Sequence, residues 1–217
     1  ERYCADIPQS AFDLARACWP GPLTMILKRR PIVPDVVTAG MDTVGMRCPS
    51  HPVCRAILQA AEVPVAAPSG NTSGRPSPTT AAHMAEDMEG RIDAIVDGGP
   101  CSVGVESTIV DLTETPPRLL RPGGITLEQL ESVLGRVEVD QAVTRLMSAG
   151  EKPRAPGMKY RHYAPKAPVT VVAGPPERTA EHIARSLTPG DGVICFDEFA
   201  GEFPGCQIQR MGPAGDK

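Results

Sequence analysis

The chain has 217 residues, 41% of them hydrophobic and 22% charged, with 22 basic and 26 acidic side chains and an isoelectric point near 5.6. It contains no run of about 18 apolar residues, which disfavours a membrane span, and its net charge of −4 disfavours broad binding along a nucleic-acid backbone. The seven Cys residues form no CxxC pair, so we expect reduced thiols in a cytoplasmic protein.

Hydrophobic periodicity and turn signals predict interleaved helices and strands, which is typical of an α/β fold. The predicted helices are Gln9 to Cys18, Pro52 to Ala61, Thr79 to Glu89, Thr126 to Leu134 and Glu177 to Leu187. The predicted strands are Leu23 to Lys28, a short run from Thr43 to Arg47, Val63 to Ala67, Ala94 to Asp97, Val105 to Leu112, Arg118 to Leu120, Val169 to Val172 and Val193 to Phe196. Thr126 and Gln129 have the spacing of a capping box.

Several of these strands are followed by, or contain, polar residues that suit an anionic ligand. Arg47 closes one strand, Ser107 lies in another, and Arg121 follows a third. Residues 68–79 form a loop rich in Ser, Asn and Gly between an apolar run and a helix, a common way to present N–H groups and hydroxyls to phosphate or carboxylate. Such residues also make ordinary turns, so this loop alone is weak evidence.

Positive charge is concentrated between residues 151 and 166. Five basic side chains stand there against one acidic side chain, together with the aromatic or ring residues Tyr160, His162 and Tyr163. A solvated interdomain linker is the simpler interpretation of a basic segment. The polar loops elsewhere in the chain favour binding of an anion instead, since Lys and Arg can hold phosphate oxygens.

Six motifs follow one another along the chain: WPGPLT at 19–24, RCP at 47–49, PSGNTSG at 68–74, ESTIVD at 106–111, LRPG at 120–123 and PGMKYRHY at 156–163. In this order they resemble the YrdC-like threonylcarbamoyl-adenylate synthases, in the two-domain version that carries the linker motif. The resemblance implies condensation of L-threonine, bicarbonate and ATP into threonylcarbamoyl-adenylate with release of pyrophosphate. It also implies a downstream transferase that places the threonylcarbamoyl group on tRNA adenosine.

The resemblance assigns residues to two ligands. Its threonine-side residues are Arg47, Ser69 and Ser107, and Arg47 is suited to bidentate binding of a carboxylate. Its ATP-side residues are Thr43, Asn71, Thr79 and Arg121, with Tyr160 and His162 closing over the nucleotide. No nucleophile paired with a base is recognisable, so we expect positioning rather than covalent catalysis. We expect Mg²⁺ to accompany ATP, although no metal-binding run is visible.

The resemblance also implies an organisation in three parts: a YrdC-like twisted α/β domain at 1–148, a linker at 149–167 and a small, incomplete Rossmann-like domain at 168–217. The last part reads as strand, helix, strand, which predicts a right-handed parallel unit. The chain opens at Glu1 without Met, and the family's first strands and helix have no counterpart. We therefore expect an N-terminally truncated fragment that lacks part of the threonine and ATP site.

Two other functions remain open from the sequence. A noncatalytic RNA-binding module of the same fold would account for the basic linker, and weak tRNA or RNA binding is compatible with either interpretation. The acidic net charge argues against the noncatalytic RNA-binding module. A related carbamoyl-transferring domain that uses carbamoyl phosphate is the other alternative, and the linker motif fits it poorly.

Overall fold

A five-stranded mixed sheet organises the larger of two units in the chain, in a computed structural model that describes residues 1–72, 74–144, 167–188 and 190–215. The units are Glu1–Pro165 and Lys166–Lys217. The strands are β1 (Leu23–Lys28), β2 (Thr43–Arg47), β3 (Thr108–Asp111), β4 (Arg118–Arg121) and β5 (Glu138–Val139), in the spatial order β2-β1-β3-β4-β5. The pairs β1–β3 and β4–β5 are parallel, whereas β1–β2 and β3–β4 are antiparallel.

Seven α-helices are assigned within the described residues. They are α1 (Gln9–Cys18), α2 (Asp35–Thr38), α3 (Pro52–Ala61), α4 (Ala81–Met88), α5 (Leu127–Leu134), α6 (Gln141–Thr144) and α7 (Pro176–Ser186). The predicted capping box of α5 is confirmed, because the Thr126 side chain accepts from the Gln129 N–H and the Gln129 side chain accepts from the Thr126 N–H. None of the described helices combines the length and apolar character needed to cross a membrane.

The main core lies on one face of the sheet. Leu23, Met25 and Leu27 of β1 belong to it, and so do Leu14 of α1 and Leu130 of α5, both of which are completely buried. Side chains alternate between the two faces of a strand, so Thr24, Ile26 and Lys28 lie on the opposite face. A small second cluster of Ile26, Ile109 and Leu120 is buried on that side.

Three strand predictions in residues 63–107 are wrong or too long. Val63 to Ala67 and Ala94 to Asp97 are not strands, and Val105 to Leu112 shortens to β3. The apolar side chains of these segments are exposed: Val63 at 59%, Val96 at 65% and Val105 at 63%. A strand needs a hydrogen-bonded neighbour, and within the described residues these segments have none.

Helix α3 fits the same pattern as those segments. Its predicted bounds are confirmed, yet the helix buries none of its residues, and Ile57 is 47% exposed. Helix α4 is shorter than predicted: Thr80 caps its N-terminus by accepting from the His83 N–H, so the helix begins at Ala81 rather than Thr79. Between β2 and β3 the two predicted helices therefore form while the predicted strands do not, and many of the apolar side chains are exposed.

The smaller unit packs α7 against a parallel pair of strands, β6 (Gly192–Cys195) and β7 (Gln207–Arg210), joined through a 3-10 helix at Asp197–Glu202. Its core consists of Ala180, Val193, Cys195 and Phe203. The predicted strand Val169 to Val172 is wrong, since no strand is assigned there within the described residues and Val171 is 85% exposed. A parallel pair does form, but the partner of β6 is β7, which the sequence analysis missed. The predicted linker lies outside the described residues except for Ala167.

Candidate active site

Four polar side chains form a row across neighbouring strands on the face opposite the main core. Arg47 on β2 is the register partner of Thr24 on β1, and directly opposed residues of an antiparallel pair share a face. The Thr24 and Ser107 hydroxyl oxygens are 3.0 Å apart, and Arg121 Nη2 donates to Ser107 Oγ at 3.1 Å. The strand order β2-β1-β3-β4 thus gives the row Arg47, Thr24, Ser107, Arg121.

The position of Ser107 is fixed by its neighbour Thr108. Thr108 is completely buried, and its hydroxyl donates to the Ile125 carbonyl at 2.6 Å and accepts from the Ile125 N–H at 2.9 Å. The Thr108 N–H donates to the Pro22 carbonyl at 2.9 Å. These bonds attach the start of β3 to the backbone at Pro22 and at Ile125. They therefore fix the position of the neighbouring Ser107 in the row.

Arg121 is held by the protein through all three guanidinium nitrogens. Nε donates to the Ser107 carbonyl at 3.0 Å, Nη2 to the Ser107 hydroxyl, and Nη1 lies 3.3 Å from Glu106 Oε2. Its side chain is only 16% exposed. Because the planar guanidinium is bonded through all three nitrogens, it cannot rotate freely. The N–H groups of Arg121 that remain unbonded therefore have a fixed orientation.

Arg47 is used in the opposite way. It is exposed, and within the described part of the chain its guanidinium makes no hydrogen bond or ion pair. A guanidinium in this state can bind a carboxylate through two parallel hydrogen bonds without breaking a protein contact. The row therefore has one free cation and one oriented cation, with two hydroxyls between them.

The loop at 71–77 is shaped by the predicted nucleotide residue Asn71. The Asn71 amide donates to the carbonyls of Thr72 and Arg75, at 3.0 and 2.9 Å, and its oxygen accepts from the Ser77 hydroxyl at 3.3 Å. The Ser77 hydroxyl shares its one proton with Glu106 Oε1, which is the nearer of the two acceptors. The polar groups of the Asn71 side chain are thus hydrogen-bonded within the loop, and Ser77 attaches the loop to Glu106.

Helix α4 provides a second attachment for this loop. The Asp87 carboxylate accepts from the Thr72 N–H at 3.0 Å and forms an ion pair with Arg75, and its side chain is only 6% exposed. A buried carboxylate is stable here because both oxygens have donors. Gly70 contributes by its lack of a side chain, since a Cβ there would lie 2.3 Å from the Met84 sulfur.

The other predicted site residues are not joined to the row by hydrogen bonds among the described residues. Thr43 shares the face of Arg47 but lies four residues along β2, roughly 13 Å away at the usual rise of a strand. Ser69 is exposed, and the Thr79 hydroxyl pairs with His83 Nδ1 at 3.3 Å. The separation of Thr43 from Arg47 suits two ligand groups rather than one. Tyr160 and His162 lie outside the described residues.

Sequence reasoning missed four residues of this arrangement: Thr24, Ser77, Asp87 and Glu106. Thr24 and Glu106 each stand within a quoted motif, and strand alternation from the buried Leu23 puts Thr24 on the site face. Ser77 lies in the 68–79 loop that was expected to present hydroxyls, but its partner Glu106 is distant in sequence; Asp87 carried no signal. The described residues hold no group of three His, Cys, Asp or Glu that could bind a metal ion.

Comparisons with known proteins identify the family of the chain. Residues 1–123 match the Sua5, YciO and YrdC family model, whose description is telomere recombination, and residues 125–216 match a model described as the threonylcarbamoyl-AMP synthase C-terminal domain. The threonylcarbamoyl-AMP synthase of Pyrococcus abyssi is 50% identical over 178 residues, covering 82% of this chain and 52% of the relative. That of Bacillus subtilis is 46% identical over 212 residues, covering 94% and 59%.

The fold of the chain also matches a solved structure of the same family. The crystal structure of P. abyssi Sua5 complexed with L-threonine matches all of this chain with a TM-score of 0.88 and 43% identity, and the match covers 63% of that protein. The chain thus spans between about half and two thirds of the length of these relatives. The family model covers more than half of the chain, and the chain belongs to the Sua5/YciO/YrdC family.

Proposed function

We propose that the full-length protein is an L-threonylcarbamoyladenylate synthase, which forms threonylcarbamoyl-AMP and pyrophosphate from L-threonine, bicarbonate and ATP. The observation that carries this proposal is the row of Arg47, Thr24, Ser107 and Arg121 on one face of the sheet. The relatives of highest identity named above are threonylcarbamoyl-AMP synthases, which supports the same activity.

The row suits a reaction among anions. A carboxylate, bicarbonate and a triphosphate repel one another, so a catalyst gains most by holding them close with cations and oriented hydroxyls. In our proposal Arg47 binds the threonine carboxylate, with Ser107 and Ser69 on the same ligand. The relative crystallised with L-threonine supports this half of the site. In this proposal the threonine amine attacks bicarbonate and water leaves, which gives N-carboxythreonine. Its carbamate oxygen then attacks the α-phosphorus of ATP and pyrophosphate leaves, so no covalent enzyme intermediate is needed.

The nucleotide half comprises Thr43, Thr79, Asn71 and Arg121 in our proposal, together with Tyr160 and His162 of the linker. Thr43 is roughly 13 Å from Arg47, which leaves room for a second ligand beside threonine. Arg121 acts directly through the N–H groups that Ser107 and Glu106 leave unused. Asn71 acts mainly through the loop, since its amide groups are already bonded there.

Mg²⁺ enters with ATP in this proposal and offsets the triphosphate charge. It commonly keeps several waters and takes few protein ligands, so the reaction does not require a dedicated cluster of carboxylates. The product is an unstable mixed anhydride, which a tRNA-modifying threonylcarbamoyl transferase would consume. We propose that the protein does this in the cytoplasm, where both ATP and tRNA are available.

The direct test is incorporation of labelled bicarbonate by the full-length protein. We expect a labelled adenylate and equimolar pyrophosphate that depend on threonine, bicarbonate and ATP together. Filter binding of tRNA at two salt concentrations runs beside it. Salt-sensitive tRNA binding without ATP binding or adenylate formation would contradict the proposal and favour the noncatalytic RNA-binding module.

A further inference from the structure

Glu106 links two parts of the candidate active site that are far apart in sequence. Its Oε1 accepts from the Ser77 hydroxyl of the 71–77 loop, and its Oε2 lies 3.3 Å from Arg121 Nη1 on β4. We propose that Glu106 is a positioning residue that sets the loop and Arg121 in one mutual arrangement for the nucleotide. This role rests on the proposed function, because it serves the ATP half of that site.

The backbone of Glu106 is fixed before its side chain is considered. The Glu106 carbonyl accepts from the Gly124 N–H at 3.1 Å. A Cβ on Gly123 would lie 2.2 Å from the same carbonyl oxygen, so only glycine allows the turn after β4 to approach this closely. The carboxylate therefore extends from an anchored origin towards its two partners.

The surroundings strengthen both contacts. The side chain of Glu106 is 22% exposed and that of Arg121 is 16% exposed, so water competes with this ion pair less than with an exposed one. The single Ser77 hydroxyl proton lies between Glu106 and Asn71, which shapes the loop, so the path from Arg121 to the loop runs through Glu106. Within the described residues no other hydrogen bond or ion pair connects Arg121 with the 71–77 loop.

If Glu106 positions other groups, its variants should change ATP binding differently than if it only balances charge. Beside a polyanion, removing a negative charge by itself strengthens ATP binding. If Glu106 sets geometry, the isosteric but neutral Glu106→Gln weakens ATP binding in spite of the more favourable charge. Glu106→Asp keeps the charge but is one methylene shorter, so it no longer reaches both Ser77 and Arg121.

The experiment compares both variants in the full-length protein with Glu138→Gln as the matched control. Glu138 also pairs with an arginine of β4, Arg118 at 3.5 Å, at the other end of the strand. We expect KM for ATP to rise about tenfold in both Glu106 variants, or about 1.4 kcal/mol, with KM for threonine changed less than about twofold. The control should retain both values.

A second readout needs no activity. Hydrogen exchange of the 71–77 amides and the NMR signal of the Arg121 Nε–H report the coupling directly, and we expect faster exchange of both in the two Glu106 variants. Unchanged exchange, or tighter ATP binding by Glu106→Gln with a normal Glu106→Asp, would overturn the role of Glu106. Faster exchange in a protein whose parent makes no adenylate would leave the coupling standing and remove the proposed function alone.

Discussion

At the scale of single residues, the two arginines of the row do different work. Arg121 is bonded through three nitrogens to Ser107 and Glu106, so the protein determines its orientation. Arg47 is exposed and makes no hydrogen bond or ion pair in the part of the chain that the structure describes. The N–H groups of Arg47 are therefore available to a ligand, so we expect Arg47 to contribute more binding free energy than Arg121 does.

Replacing Arg47 by Lys should weaken threonine binding by about tenfold and ATP binding by less. Lysine keeps the charge but loses the fork that grips a carboxylate through two hydrogen bonds, and one charge-assisted hydrogen bond is worth about 1.5 kcal/mol or more. Calorimetric titration of the full-length protein with each ligand measures the two effects. Arg55→Lys, an exposed arginine of α3, serves as the control. Equal weakening of both ligands by Arg47→Lys would contradict the assignment.

Cys4 gives a prediction about pH. Burial raises the pKa of the Cys4 thiol, which is only 3% exposed. Because the folded-state pKa lies above the unfolded one, the protonated thiol's contribution to stability is complete below about pH 9 and is lost as the pH rises further. Urea unfolding between pH 8 and pH 10.5, compared with Cys4→Ala, should show a smaller decline in the variant. An identical decline in both proteins would contradict the prediction.

At the scale of elements, the 71–77 loop between α3 and α4 depends on Asp87. Asp87→Ala leaves the Thr72 N–H and the Arg75 guanidinium without their acceptor, so we expect a loss of about 1–3 kcal/mol in unfolding free energy and faster exchange at residues 72–75. Asp13→Ala removes an exposed ion pair with Arg16 and should cost less than about 1 kcal/mol. Urea unfolding of both variants provides the comparison, and similar losses would show that the loop attachment adds nothing.

The elements that the sequence predicted well are those with local causes. Helix α1, strand β1 and helix α3 have the predicted bounds, because periodicity, caps and proline act within a few residues. The failed strands at 63–67 and 94–97 needed a hydrogen-bonded neighbour, which no local pattern supplies. Strand β6 was predicted, but its partner β7 was not, because no local pattern shows which strands will pair.

The site shows the same division. Motifs pointed to Arg47, Ser107 and Arg121, and the strand order brings those three into one row. Sequence alone could not show that Asn71 uses its amide within its own loop, or that Glu106 joins that loop to β4. The first depends on the path of a loop without regular periodicity, and the second on a contact between segments that are distant in sequence, so no local pattern predicts either.

At the scale of the whole molecule, the apolar side chains between β2 and β3 are distributed unusually. Val63, Val65, Val96 and Val105 are each more than half exposed, and α3 buries none of its residues. Isolated exposed hydrophobic residues are ordinary, but so many in one region of sequence resemble a surface that normally contacts something else. By contrast, β1 in the same unit is mostly buried, and α5 completely buries Leu130.

We therefore expect a protein consisting of residues 1–217 alone to bind a hydrophobic dye such as ANS. Changing Val63, Val96 and Val105 to Thr should reduce dye fluorescence by about half without lowering the unfolding free energy, because the methyl groups removed are already in water. Val110→Thr is the matched control: its side chain is completely buried, so the same chemical change should cost about 1–3 kcal/mol and leave dye binding undiminished. If the triple variant instead loses stability to the same degree as Val110→Thr, those three valines are packed in solution and the surface is closed.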